Sequence, residues 1–556
     1  MVKRSVAVCL LFIIFGFVVK GHSLRSDEPT KHRQATSART SSEVTLSGSI
    51  KGPDGAPLER IFIQLQNSKT KITFYVLSDK SGRYRIDNLP AGDYRVQASA
   101  TGFRANVKNG VNIGVGHATT LDLTAEKSLV RWNDITIYQA KRLWPDEHGK
   151  QLIFDHCFVC HGFQTRMASV RRDADGWRDQ VQFMRDSMSF SLSWRFTDQD
   201  AAEVAAYLNK LYGETSVLAK YPTEMANYKE SLPPLNNQAT NIVYVEYDMP
   251  GPNRMPFSGA PAKDGSVWIP NMGAANKISR LDPNSGVIQD YAVPNEGTAA
   301  VHSAVPAADG SVWLAEQGSN KLGRWDPSTK QITEFQDAYL PGKEGTESGG
   351  SRHTVRVDSK GIVWASGWPF TRFDPTTGKF HDFPEADHTY GVTFDQQGDV
   401  WFTDPGKGEI GKIDATTLKV TEWAPPTPKG YERRIAIDPE GIVWFGEYQT
   451  GKIGRFDPKT EKFKEYDLPG GADTFPYAIV IGADHGIWYS SYYEDVICRL
   501  DSNTGDITVY PFPHSENTIR EFFPDPDAPG RIWYGSPSNN KVGYFYLTDS
   551  PDSRTN

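Results

Sequence analysis

The chain has 556 residues, a formal net charge of -8 and a pI near 5.9. That acidic balance argues against nucleic acid as a partner, and the length is that of several domains. Only four cysteines are present, too few for a disulfide framework, so packing has to hold the fold.

The N-terminus reads as an export signal over residues 1–23. Lys3 and Arg4 form a basic start, Val6 to Val19 is an apolar run, and Gly21-His22-Ser23 offers small residues for cleavage. The run is short for a membrane span and ends at Lys20; an uncleaved anchor is the alternative. Cys9 leaves with the signal, and no later stretch is long and apolar enough to span a bilayer. The expected location is the periplasm or the medium. Residues 24–43 are polar and mixed in charge, as in a flexible linker.

Residues 44–126 change to short alternating strands with turns at Pro53-Asp54-Gly55, Lys80-Ser81-Gly82 and Pro90-Ala91-Gly92, which predicts an antiparallel β-sandwich. The string from Gly82 to Tyr94, with Thr101-Gly102-Phe103 after it, resembles the carboxypeptidase regulatory-like domain. That resemblance implies a structural or adhesive module related to carbohydrate-binding folds, so carbohydrate is an inherited partner.

Cys157-Phe158-Val159-Cys160-His161 spells C-x-x-C-H, the attachment signature of a c-type haem. Two thiols at this spacing form thioethers with the haem vinyl groups, and the adjacent imidazole becomes the proximal iron ligand. A zinc knuckle would need more ligands nearby than His156, and a dithiol redox pair would need a βαβ setting. Thr197 is placed to cap a helix over Asp198 to Tyr212, with Gly213 as its stop. A helix before the motif and an amphipathic one at the end, over 143–213, resemble a mono-haem cytochrome c domain. The resemblance implies a distal methionine: Met188 fits best, Met184 is the alternative, and Met167 is closer to the motif than the pattern allows. Residues 214–240 read as a linker, and Cys498 as a buried structural thiol.

From 241 to 547 the chain repeats. Trp268, Trp313, Trp364, Trp401, Trp444, Trp488 and Trp533 recur every 37 to 51 residues, each within strand-turn-strand patterning, which predicts a seven-bladed β-propeller. The last repeat lacks an outer strand and the first is preceded by an extra one, Ile242 to Met249. Pairing these would complete the last blade and close the ring. The fold class is therefore mainly β: a seven-bladed β-propeller with an N-terminal β-sandwich and a small α-helical cytochrome c domain.

The G-x-[IV]-W-[FLY] and K-I-G-R-[FIL]-D repeats resemble the virginiamycin B lyase (streptogramin lyase) family. That resemblance implies ester elimination with Mg²⁺ and a general-base His, at positions eleven before and three after each blade Trp. The first column reads Phe257, His302, His353, Tyr390, Arg433, Tyr477 and Phe522. The second reads Asn271, Glu316, Gly367, Asp404, Glu447, Ser491 and Ser536. Both columns are expected to line a central funnel, with Glu432 and Arg434 beside it and the insertion Gly342–Gly350 overhanging it. The candidate catalytic set is His302, Glu316, His353, Arg433 and Glu447. No blade carries the full Glu-x-His…Glu set that the lyase pattern requires: Ala300, Tyr431 and Gly367 interrupt it in blades two, five and three.

The function expected from the sequence is electron transfer by an exported c-type haem protein whose propeller binds a ligand, a small-molecule substrate or a redox partner protein. A lyase at the funnel is the alternative, and a carbohydrate-binding surface module a third.

Overall fold

The computed structural model describes residues 45–548, apart from 116–117, 159–161, 188–195, 233–236, 296, 337–350 and 387. The signal and linker assignments over 1–43, together with Cys160, His161, Met188 and the Gly342–Gly350 insertion, lie outside the described residues.

Each tryptophan repeat forms a four-stranded antiparallel blade. Blade two is typical: Val301–Pro306, Val312–Glu316, Lys321–Trp325 and Ile332–Phe335 pair in sequence. The Trp strand of this blade is buried along its whole length because neighbouring blades cover both its faces. All seven blade tryptophans are at most 3% exposed. Four of their indole N–H groups donate to an Asp at the preceding turn: Trp364 to Asp358, Trp401 to Asp395, Trp444 to Asp438 and Trp533 to Asp525. This satisfies the one polar atom of an otherwise apolar ring.

Ile242–Asp248 pairs antiparallel with Lys541–Leu547 from Ile242↔Leu547 to Asp248↔Lys541, so the N-terminal strand of the repeat region completes blade seven. Its other edge is occupied too. Thr73–Leu77 of the sandwich pairs with the same strand, Val243 opposite Val76 and Glu246 opposite Thr73. The sheet runs on through Phe62–Asn67 and Gly92–Ala100, so the sandwich and the seventh blade share one 13-stranded sheet. The described residues form one compact unit. The sequence treats the sandwich as a separate module because strand edges carry no sequence signal for their partner.

Four α-helices follow among the described residues: α1 (Ile137–Leu143), α2 (His148–Leu152), α3 (Ala174–Ser187) and α4 (Asp198–Tyr212). Thr197 and Asp200 form a reciprocal capping box at the start of α4, and Gly213 ends it. α2 crosses α4 at Gly149, where a Cβ would lie 2.6 Å from Cβ of Tyr207, so only glycine permits this approach. α2 then widens into a π-helical turn over Ile153–Cys157, at the start of the C-x-x-C-H motif. α1 lies ahead of the helical region expected from the sequence. Within the stretch expected as a linker, Leu218, Met225 and Tyr228 pack on the helical core, and Ala219 O accepts from Trp132 Nε1 at 2.9 Å. Its Pro- and Asn-rich composition reads as linker, whereas tertiary contacts hold it down. No helix among the described residues is long and apolar enough to cross a membrane.

Candidate functional site

The inner strands of the blades, and the residues just before them, bring seven side chains into a closed ring around the channel axis. In blade order, Phe257 meets His302 at 4.9 Å between ring centroids, His302 meets His353 at 3.6 Å, and His353 meets Tyr390 at 4.0 Å. The Arg433 guanidinium lies 4.5 Å from the Tyr390 ring and 5.2 Å from the Tyr477 ring. Arg520 closes the circle, 5.4 Å from Tyr477 and 4.9 Å from Phe257.

Six members stand eleven residues before their blade tryptophan; Arg520 does not. In blades three, four and five the Asp that accepts the indole N–H precedes its Trp by six residues, but Asp525 precedes Trp533 by eight. The two extra residues in this turn slide the count, so a fixed offset points to Phe522 while the ring position belongs to Arg520. Phe522 instead packs against Phe545 in blade seven. The length of the 525–533 turn was the signal available in the sequence.

The described members of the candidate set separate into two groups. His302, His353 and Arg433 belong to the ring. Glu316 and Glu447 are engaged inside their own blades, accepting from Ser319 Oγ at 2.8 Å and from Thr450 Oγ1 at 2.9 Å. Burial, with Glu334 beside one and Glu465 beside the other, pushes both carboxyls up to about 7. Among the described residues, no hydrogen bond or ion pair joins either Glu to His302, His353 or Arg433. No group of three or more His, Cys, Asp or Glu side chains among those residues is arranged to hold a metal ion. The charges that act on the two imidazoles are those of the guanidiniums of Arg433, Arg434 and Arg520.

The electrostatics follow from that arrangement. Burial and the guanidiniums of Arg434, Arg520 and Arg433 push the His302 imidazole well below its usual range. Burial, His302 and the same three guanidiniums do so for His353. Both rings are thus neutral near pH 7. Burial would raise the Tyr477 phenol, but Arg433 and Arg520 outweigh it and lower it. Tyr477 shares a hydroxyl contact with Tyr390 and accepts from Arg520 at 3.2 Å. Arg434 reaches across the channel, donating to Thr354 Oγ1 at 2.7 Å and to the Arg520 carbonyl at 3.0 Å, and pairs with Glu521 at 3.1 Å.

Glu432 is fully buried next to Glu447, and neither of its carboxylate oxygens has a hydrogen-bond partner. Burial, then the charge of Glu447, pushes it up to about 8. A folded-state value above the unfolded one gives stability that is complete below about pH 4 and lost as pH rises toward 8. Glu432→Gln is accordingly expected to be near neutral at pH 5 and to stabilise the protein by about 2 kcal/mol at pH 9, read by chemical denaturation at both pH values.

The helical region sits over the blade-six side of this ring. Tyr138 N donates to Tyr493 O at 2.8 Å, and Tyr493 OH to Phe154 O at 3.3 Å. Lys141 and Arg142 both pair with Asp473, and Thr165 donates to Glu516. Phe158, inside the C-x-x-C-H motif, lies 5.9 Å from Tyr493. Tyr493 meets Tyr492 at 5.7 Å, and Tyr492 stacks on Tyr477 of the ring at 5.4 Å. An unbroken aromatic path thus runs from the motif into the channel. Cys157 is half-buried against the same core. Met184 is half-buried on α3, and Met167 is buried in the turn after the motif. Trp177 Nε1 and Arg172 Nη1 are buried without a hydrogen-bond partner, the Arg172 guanidinium 5.0 Å from the Trp177 ring. Cys498 is buried in blade six, and burial pushes its thiol up.

The virginiamycin B lyase family matches residues 379–550, and the carboxypeptidase regulatory-like domain matches residues 45–126. The chain thus carries a virginiamycin B lyase-like propeller behind a carboxypeptidase regulatory-like domain. Among solved structures it is similar to a streptogramin B lyase at 25% identity, over 56% of this chain and 99% of that one, with a TM-score of 0.49. A virginiamycin B lyase from Staphylococcus aureus is similar at 24% identity, over 55% and 100%, also with a TM-score of 0.49. No curated protein matches the chain.

Proposed function

We propose that this is an exported c-type haem protein whose helical region carries out electron transfer at the mouth of a ligand-binding propeller. The observation that carries the reading is the contact of Phe158, inside the C-x-x-C-H motif, with Tyr493, one aromatic contact from the channel-side Tyr492. The residues present suit the group. Trp144, Phe154, Phe158 and Phe163 give the apolar wall that a haem face needs, and the orphaned donors of Trp177 and Arg172 suit an acidic substituent. Cys157 and Cys160 would hold the haem covalently, with His161 as proximal and Met188 or Met184 as distal ligand. Bound there, it supplies one-electron chemistry. The propeller then places its ligand, a small molecule or the surface of a redox partner, below it. The test is whether the exported chain, matured in the periplasm, keeps its haem through denaturing electrophoresis.

Carbon–oxygen elimination in the channel is the second reading, and the family match over 379–550 favours it. His302 and His353, neutral and buried among guanidiniums, suit proton abstraction next to a developing negative charge. Against it stands the separation of Glu316 and Glu447 from those imidazoles. The expected outcome is no Mg²⁺-dependent ring opening of a streptogramin B above the buffer blank. Turnover that disappears in His302→Ala or His353→Ala would put elimination first.

A further inference from the structure

The channel is a local reversal of charge in an acidic protein. Arg433, Arg434 and Arg520 are each at most 6% exposed, and all three guanidiniums act on both ring imidazoles. Glu521 is shared between Arg434, at 3.1 Å, and Arg356, at 2.6 Å, so one carboxylate serves two cations. Arg433 makes no ion pair among the described residues. It is boxed by the rings of Tyr390, Tyr431, Tyr448 and Tyr477 at 4.5 to 5.2 Å. Arg433 Nε, Arg434 Nη2 and His302 Nδ1 are buried and have no hydrogen-bond partner. Neutral imidazoles do not offset these charges. Aromatic faces attract a guanidinium, but they leave its in-plane N–H donors unsatisfied. Buried positive charge in excess of its carboxylates is costly unless an anion completes it.

We propose that the propeller channel binds an oxyanion, the carboxylate or phosphate-type group of a small acidic molecule, between Arg433, Arg434 and Arg520. The planar fork of a guanidinium presents paired N–H donors at the spacing of two oxygens of such a group. The surrounding phenol rings give an apolar wall for the body of the ligand. The Tyr477 and Tyr492 hydroxyls accept from the Arg520 guanidinium at 3.2 and 2.8 Å and hold it in place. This deepens the ligand-binding half of the function proposed above and does not depend on haem.

The test is calorimetric titration of the full exported chain at constant ionic strength set with chloride. Sulfate and inorganic phosphate form one arm; acetate, succinate and benzoate form the other. Saturable binding is expected in at least one arm, weakened ten-fold or more in Arg433→Gln. It is expected to weaken in Arg433→Lys as well, which keeps the charge and loses the fork. Arg455→Gln, whose guanidinium lies over Trp444 within blade five, is expected to bind as the parent does. Binding confined to the organic arm assigns a carboxylate ligand, and binding confined to the inorganic arm a free oxyanion. Should Arg433→Gln fold poorly, Arg433→Lys and Arg520→Lys carry the same comparison. No saturable binding in either arm, or binding unchanged in the Arg433 and Arg520 variants, overturns the proposal. Cys157→Ala/Cys160→Ala tests the haem without touching these arginines, so anion binding that survives in it separates failure of one proposal from failure of the other.

Discussion

Exported with the haem maturation machinery, the parent chain should give a haem-staining band after denaturing electrophoresis, and Cys157→Ala/Cys160→Ala should give none. The effect is all-or-none because thioether bonds survive unfolding, whereas axial ligation by His161 and a methionine does not. Either single variant keeps one thioether and should retain part of the stain. A second readout guards against misfolding. The far-ultraviolet signal of the double variant should stay close to the parent's, since the blades and sandwich supply most of the secondary structure. A double variant that stains like the parent would remove the haem assignment and leave the helical region as a cap on the propeller.

The largest expected stability effect lies far from the channel, at Glu246. Its carboxylate is buried on the strand Ile242–Asp248 that joins sandwich to propeller. His514 Nε2 lies 2.7 Å away, Tyr534 OH donates at 3.1 Å, and Lys541 Nζ is at 3.8 Å. Burial pushes this carboxyl up, but the charges of His514 and Lys541 outweigh it and hold it below the usual range. Glu246→Leu orphans the Tyr534 hydroxyl and strips His514 and Lys541 of a shared partner. The expected cost is about 3 kcal/mol in equilibrium unfolding, reduced from a fully buried pair because His514 and Lys541 are partly exposed. Glu246→Gln should cost less, because an amide still accepts from Tyr534. A depressed folded-state value means the contribution is present above about pH 4.5 and is lost as pH falls through the folded value. The gap between parent and Glu246→Leu should therefore narrow below pH 4.5. An unchanged gap at pH 3, or a cost below about 0.5 kcal/mol, would mean that Glu246 does not lock this joint.

The propeller was legible because its cause is local and repeated. Each blade needs a tryptophan strand, a turn and alternating apolar positions, and seven copies at near-constant spacing leave little else for the chain to form. The pairing of Ile242–Asp248 with Lys541–Leu547 was legible for the same reason, since the last blade lacks one strand of its own. The limits of α4 were legible too, because the box of Thr197 with Asp200 and the stop at Gly213 are written within a few residues.

What the tertiary structure decided has no local cause. The edge on which the sandwich docks depends on two strands more than 160 positions apart in sequence, Thr73–Leu77 and Ile242–Asp248, finding each other's free backbone groups. A fixed residue offset finds six members of the channel ring and misses Arg520, because a longer turn moves the register without changing the fold. Sequence columns also cannot tell which way a carboxylate points. Glu316 and Glu447 fall in register with the ring, yet the hydroxyls of Ser319 and Thr450 engage them within their own blades. The sequence by itself determined the blades and the C-x-x-C-H motif. Folding decided that the charges acting on the two imidazoles would be buried guanidiniums, because that arrangement depends on seven separate blades converging on one axis.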